Sequence, residues 1–244
     1  IRTDMWGMMP DALESACRTG GVRAVYLMPS CRNPTLTYMP EKRRRELVEV
    51  CRRYGVLVIE DDVYALTAEG GAKPFAELAP ERTCFIASTS EILGSGLRVA
   101  YLCPPEEFFD ELVRTVSCSV SMVPPLMAEI AAQMIEDGTA DQVLSAKNAE
   151  AVQRNVMACD VFGEIPLVHM RSGYFCWLPL PGNVPASLFA EKAAACGVLV
   201  AHSEHFMIGH STQENGVRIA LGAPEKGATV RGALERLRNL LEDW

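Results

Sequence analysis

Short apolar runs alternate with helix-length amphipathic stretches along the first hundred residues. Runs at 24–28, 56–60, 84–87 and 99–103 have the length of buried strands. Residues 10–18 place Leu13, Ala16 and Cys17 at helical spacing, and Gly20-Gly21 ends that helix. Residues 40–54 form a second amphipathic helix, with Leu47, Val50 and Cys51 on one face and the basic residues from Lys42 to Arg53 on the others. Strand, helix, strand at this spacing predicts a βαβ unit and so a parallel sheet. The runs at 84–87 and 99–103 are expected to continue it.

Farther along, 105–116 and 124–137 read as helices, the second stopped by Gly138. Residues 139–159 predict a long polar helix with Val143, Val152 and Val156 as its apolar positions, of the kind that bridges two lobes. The pattern then changes. Residues 168–180 alternate around Gly173, 185–196 are helical, 198–201 and 217–221 are strands, and 228–241 form an amphipathic helix on Val230, Leu234, Leu237 and Leu241. Short mixed strands with flanking helices suggest a smaller α+β lobe. The expected domains are 1–145 and 146–244. There is no internal repeat and no low-complexity segment.

At 244 residues the chain is long enough for one large or two modest domains. Its net charge of −8 argues against a nucleic-acid surface within it, because such surfaces need clustered Lys and Arg. No apolar run has the length of a membrane span, and no signal peptide is visible. The nine cysteines are scattered without a Cys-x-x-Cys pair, mostly in apolar runs, which points to a reducing, cytoplasmic compartment. Ile1 opens in mid-pattern, so the chain is expected to be part of a longer protein.

In a parallel sheet, ligands gather at the carboxyl ends of the strands. The first strand here leads to Asn33, the second to Asp61 and Tyr64, and the third to Ser88 and Ser90. Between the third and fourth runs lie Gly94-Ser95-Gly96 and Arg98. Hydroxyls, flexible backbone and a guanidinium at strand ends suit an anion such as phosphate. Taken singly, Asn33-Pro34 also reads as a turn, Asp61-Asp62 as a helix N-cap pair, and Arg218 as a surface ion pair. His202, His205 and His210 have no Cys or carboxylate ligand set beside them, so no metal is expected.

Residues 88–101 resemble the Ser-x-Ser-Lys-x-Leu-x-x-Gly-Leu-Arg-x-(Gly/Ala)-Tyr signature of the fold-type I, pyridoxal-phosphate-dependent aminotransferases of class I/II. Ser88, Ser90, Leu93, Gly96, Leu97, Arg98 and Tyr101 match in spacing. Glu91 stands where that family has the lysine that forms the Schiff base, and a carboxylate forms no imine. The resemblance implies an α/β fold: a three-layer, parallel-rich large domain, incomplete at its N-terminus, plus a smaller α+β C-terminal domain. It implies pyridoxal 5'-phosphate as cofactor, with Asp61 on the ring nitrogen, making the ring an electron sink. Asn33 and Tyr64 would donate to the phenolic oxygen, and Ser88, Ser90 and Arg98 would hold the phosphate. Gly173-Tyr-Phe-Cys-Trp177 resembles the family's Gly-x-Phe-x-Trp strand, and Arg218 matches the arginine that clamps the substrate carboxylate. Leu36 departs from the glycine usual after Asn-Pro-Thr, and Gly94-Ser95 from the common Ala-Pro.

Residues 124–131, 135–141 and 221–224 narrow the resemblance to the aminotransferase-like domain of MocR-type regulators, a GntR subgroup. This implies an effector-binding module without turnover, because of Glu91. Its ligand would be a small amino-acid-like molecule, it would form a homo-dimer, and it would reach DNA only through a winged helix upstream. The chain would cover about the last two thirds of that module. A fragment of an aminotransferase acting on an amino acid, and a scaffold that serves only dimerisation, are the alternatives.

Overall fold

The computed structural model describes residues 1–68, 70–207, 214–222 and 226–244. His210 and the Ala223-Pro224 pair of the MocR resemblance lie outside the described residues. The chain divides into two compact units: Ile1–Arg32 with Thr37–Lys147, and Asn33–Leu36 with Asn148–Trp244. The inclusion of Asn33–Leu36 in the second unit is not visible in the sequence. The chain leaves the first unit after Arg32 and re-enters it at Thr37, whose carbonyl accepts from the Arg32 amide at 3.0 Å.

The first unit opens with a small hairpin, β1 (Thr3–Asp4) and β2 (Gly7–Met8), which the sequence pattern did not reveal. Helix α1 (Pro10–Thr19) follows and buries Leu13 and Cys17. Strand β3 (Ala24–Leu27) alternates exposed and buried positions, with Val25 and Leu27 inward and Tyr26 outward. Helix α2 (Glu41–Tyr54) stops at Gly55, which takes the left-handed conformation that ends helices. Leu47, Val48, Val50 and Cys51 form its buried stripe. Its basic face is not wholly solvated as expected: Arg44 is 1% exposed, held inside by an ion pair and carbonyls described below. Strand β4 (Leu57–Asp61) and the four-residue helix α3 (Phe75–Leu78) precede β5 (Thr83–Ser88) and β6 (Ala100–Cys103).

These strands form one sheet in the order β3-β4-β5-β6. The pairs β3–β4 and β4–β5 are parallel, each connected through a helix. The 99–103 run corrects the expectation of a parallel continuation, because β6 pairs antiparallel to β5, with Phe85 opposite Cys103 and Ser88 opposite Ala100. Residues 89–99 lie between them and contain no helix, whereas a parallel partner needs a crossover of about a dozen residues or more, usually a helix. Leu13, Val25, Leu27, Leu47, Val58 and Phe75 lie at the centre of this unit's core. Helices α4 (Phe109–Ser119) and α5 (Pro125–Glu136) complete the run of elements before α6 (Thr139–Phe162), within which the division between units falls.

In the second unit, β7 (Phe175–Pro179), β9 (Gly216–Ala220) and β8 (Ala201–His202) form an antiparallel sheet in the order β7-β9-β8. The expected strand at 198–201 shifts to β8, since pairing begins only at Ala201, opposite Arg218. One sheet face, with Cys176, Leu178, Val217 and Ile219, packs into a core with α7 (Ala186–Ala195), α8 (Gly227–Glu242) and the end of α6. Val230, Leu234 and Leu237 supply the buried stripe of α8.

Candidate functional site

The parallel register sets the carboxyl ends of β4 and β5 side by side. Asp61, the last residue of β4, lies opposite Ile86, two residues before Ser88. Alternation sends Val58 and Glu60 to the helix-covered face and Asp61 to the other. Tyr26 pairs with Ile59 in register, so it shares the face of Asp61. Its hydroxyl donates a hydrogen bond to Asp61 Oδ2, over a sequence separation of 35. Burial first, and the adjacent Asp61 carboxylate second, push the Tyr26 phenol above its ordinary value. The second carboxylate oxygen, Asp61 Oδ1, is buried with no hydrogen-bond partner among the described residues. Such an acceptor is costly to leave unmet.

The opposite face of the same strand end holds a buried polar cluster. Glu60 is fully buried and accepts from the Phe75 and Ala76 amides at 2.8 and 2.9 Å, at the start of α3. Arg44 lies 3.8 Å from Glu60, and it donates to the Met39 carbonyl and to Ser30 Oγ. Ser30 Oγ in turn donates to Asp62 at 3.0 Å. Burial raises the pKa of Glu60 against those two amides, and raises that of Asp62 against its Ser30 bond. Asp61 and Asp62 are therefore not an N-cap pair: one faces the site and the other locks the strand end to α2. Tyr64 opens the following 3-10 turn, where its carbonyl accepts from Thr67.

Ser88 closes β5, and Ser90, Glu91 and Arg98 belong to the reversal between β5 and β6. Ser88 Oγ accepts from the Ser90 amide at 3.1 Å. Thr89, buried, bonds the Val99 carbonyl through both its amide and its hydroxyl, at 3.1 and 3.0 Å. The Leu93 and Gly94 amides both reach back to the Thr89 carbonyl, winding residues 89–94 into a single turn. Arg98 has φ 55, the left-handed conformation that a non-glycine residue adopts at a cost of about 1–2 kcal/mol. Its guanidinium reaches Ser90 Oγ at 3.4 Å and the Ser95 carbonyl at 3.5 Å, both long contacts. An exposed guanidinium beside the Ser90 hydroxyl, on a strained backbone, has the chemistry of an oxyanion cradle.

Asn33 and Arg218 come together in the second unit. Arg218 Nη1 donates to Asn33 Oδ1 at 2.9 Å. Arg218 projects from β9 with the Phe175 and Phe206 rings each 5.3 Å from its guanidinium carbon, and its Nε is buried without a hydrogen-bond partner among the described residues. A planar cation flanked by aromatic rings with an unmet donor suits a carboxylate. It is no surface ion pair. Asn33 opens a turn, with Asn33-Pro34 cis, and Leu36 takes φ 54 where the related pattern has glycine.

The sequence did not single out Tyr26 or Arg44. The outward position of Tyr26 in the β3 alternation was the available signal, whereas nothing in the pattern separates Arg44 from its solvated neighbours. Among the described residues no group of three or more His, Cys, Asp or Glu is placed to hold a metal ion. The His202 and His205 ring centroids lie 3.8 Å apart with the ring planes tilted by 44°. No described helix is long and apolar enough to cross a membrane.

The donor set fits the non-covalent part of pyridoxal phosphate. The unmet Asp61 oxygen can accept from a protonated ring nitrogen, and the Ser88–Arg98 reversal can receive a phosphate. Glu91 offers no amine for a covalent bond.

A family model described as aminotransferase class I and II matches residues 2–237. The HTH-type transcriptional regulator YdeF of Bacillus subtilis is 31% identical over 243 residues, covering 100% of this chain and 53% of that protein. The 2-aminoadipate transaminase of Thermus thermophilus is 26% identical over 232 residues, covering 91% of this chain and 58% of that enzyme. A crystal structure of an archaeal alanine:glyoxylate aminotransferase superposes with a TM-score of 0.88 at 22% identity, over 99% of this chain and 62% of that one. The chain thus spans little more than half the length of the two sequence relatives.

Proposed function

The chain belongs to the aminotransferase class I and II family, and from that premise we propose that it is the ligand-sensing module of a GntR/MocR-type transcriptional regulator, binding pyridoxal phosphate or an amino-acid-like effector without turnover. The observation that carries this is Glu91. It follows Ser90 in the cradle at the point where covalent capture needs an amine. With Asp61 for a ring nitrogen, Ser88, Ser90 and Arg98 for a phosphate, and Arg218 for a carboxylate, the module keeps recognition groups and lacks the nucleophile. Asn33 and Tyr64 complete the proposed cofactor contacts. The likeness to a regulator at 31% identity supports the regulatory context. In this proposal DNA is read by a separate winged helix, and the module acts as a homo-dimer in the cytoplasm.

Likeness to a transaminase at 26% identity supports the second reading, a fragment of an amino-acid aminotransferase. The same Arg218 would then clamp a substrate. Calorimetric titration with pyridoxal phosphate, followed by a transamination assay over a panel of amino acids, tests the two together. Saturable binding without product supports the sensor, and catalytic product formation overturns it.

A further inference from the structure

Lys147 lies in α6, the last residue of the first unit, at a sequence separation of 56 from Glu91. Its ammonium donates to the Glu91 carbonyl at 2.6 Å and to the Ile92 carbonyl at 3.1 Å. Both carbonyls sit at the far end of the 89–94 turn. A single helical turn has no following turn to supply amides to these oxygens, so its carbonyl end is a negative pole that favours a cation.

The charge balance of the cradle makes this contact consequential. Arg98 is exposed, so water and salt screen it. Glu91 brings a carboxylate into the same turn and cancels that one positive charge. Lys147 is part-buried and restores a net positive charge beside Ser90, where an anion needs it.

We propose that Lys147 is the positioning residue of the anion cradle: its ammonium fixes the 89–94 turn that presents Ser90 and offsets the negative charge of Glu91. This rests on reading the Ser88–Arg98 reversal as a phosphate site. The geometry itself stands apart from any ligand, which lets the two be tested separately. A lysine in this role acts through the turn, without touching the ligand.

Two substitutions test it, Lys147→Met, which keeps the stem and removes the charge, and Lys147→Arg, which keeps the charge. In ligand-free protein, hydrogen exchange at the Leu93 and Gly94 amides is expected to speed up about tenfold in Lys147→Met and to stay near wild type in Lys147→Arg. Affinity for inorganic phosphate and for pyridoxal phosphate is expected to fall about tenfold in Lys147→Met, while affinity for pyridoxal, which has no phosphate, holds. Unchanged exchange in Lys147→Met overturns the proposal. Equal losses for pyridoxal and pyridoxal phosphate overturn the electrostatic half of it. Faster exchange in a protein whose wild type binds no phosphate supports the hold on the turn and overturns the phosphate reading instead.

Discussion

The hydroxyl of Tyr26 occupies one oxygen of Asp61 and leaves the other buried and, among the described residues, unmet. The carboxylate is thereby held in one orientation, with its free lone pairs committed to whatever ligand arrives. Asp62, the next residue, already has Ser30 as its partner on the opposite face. Asp61→Ala is therefore expected to weaken pyridoxal phosphate binding roughly ten- to hundredfold, the range of a hydrogen bond to a charged group. Tyr26→Phe should weaken it less, by loosening the carboxylate. Asp62→Ala should leave ligand affinity nearly intact and lower stability. Calorimetric titration of the three variants decides the assignment, and equal losses for Asp61→Ala and Asp62→Ala would break it.

How much of this was legible beforehand follows from which forces act locally. The helices and most strands announced themselves through period, as with Leu47 and Cys51 on α2 or Val230, Leu234 and Leu237 on α8. Asp61, Ser88, Ser90 and Arg218 were found through a motif, and their surroundings were not. The antiparallel return of β6 was in principle legible, since the runs at 84–87 and 99–103 leave no room for a crossover helix, but an apolar run by itself carries no strand direction. The inward turn of Arg44 depended on Glu60, 16 residues away, being buried with it. A lone arginine on a basic helix face carries no local mark of that fate. Likewise Lys147 finds Glu91 only once α6 is in place.

Glu91 gives a chemical prediction. Wild type mixed with pyridoxal phosphate and reduced with borohydride should yield no adduct at residue 91, because a carboxylate has no amine to condense with the aldehyde. Glu91→Lys places an amine at that position and should yield a peptide carrying the reduced adduct, located by mass spectrometry. It also removes a negative charge from the cradle, so non-covalent affinity for phosphate should rise as well. A wild-type adduct mapped to the 88–98 segment would refute the claim.

Arg98 sets backbone strain against anion binding. Its left-handed φ is held by the flanking Thr89–Val99 hydrogen bonds. Arg98→Gly should be neutral or stabilising by up to about 1 kcal/mol, since relief of the left-handed conformation outweighs the added freedom of the unfolded chain. The same change should lower phosphate affinity about tenfold through loss of the guanidinium. Thermal melts and phosphate titration run in opposite directions if this is right. A variant that loses both stability and affinity would show that Arg98 is part of the packing.

The buried carboxylates predict an inverted contribution to the pH dependence of stability. Glu60 and Asp62 have folded-state pKa values raised above ordinary ones, mainly by burial. In the window between the unfolded and folded values the native state binds more protons than the unfolded state. Stability from these two groups is therefore greatest below the ordinary carboxylate range and falls as pH rises through their raised values. Exposed Glu41 and Glu81, lowered by Arg45 and Arg52, act in the opposite sense and lose their contribution as pH falls. Glu60→Gln isolates the buried part. Denaturation curves from acid to neutral pH should show a smaller decline for Glu60→Gln than for wild type. Parallel curves would mean that Arg44 and the two amides neutralise the cost of burial.

The first-unit sheet leads to a prediction about assembly. Its order, β3-β4-β5-β6, leaves β3 and β6 as edge strands. All four residues of β6 are exposed, Tyr101 and Leu102 among them, and α4 following it buries none of its residues. Phe109, Val113, Met122 and Leu126 add further exposed apolar surface to this unit. Unpaired strand edges template pairing with another chain, and contiguous apolar surface drives association. The 244-residue chain is therefore expected to self-associate, through a dimer surface or through these edges. Size-exclusion chromatography with light scattering should show dimer or larger species that dissociate on dilution. Substituting Leu102→Lys and Val113→Lys, both on already exposed positions, should shift the population toward monomer without lowering the melting temperature. A clean monomer for the unmodified chain at high concentration, with a cooperative melt, would sink the idea and require that this apolar surface be tolerated in water.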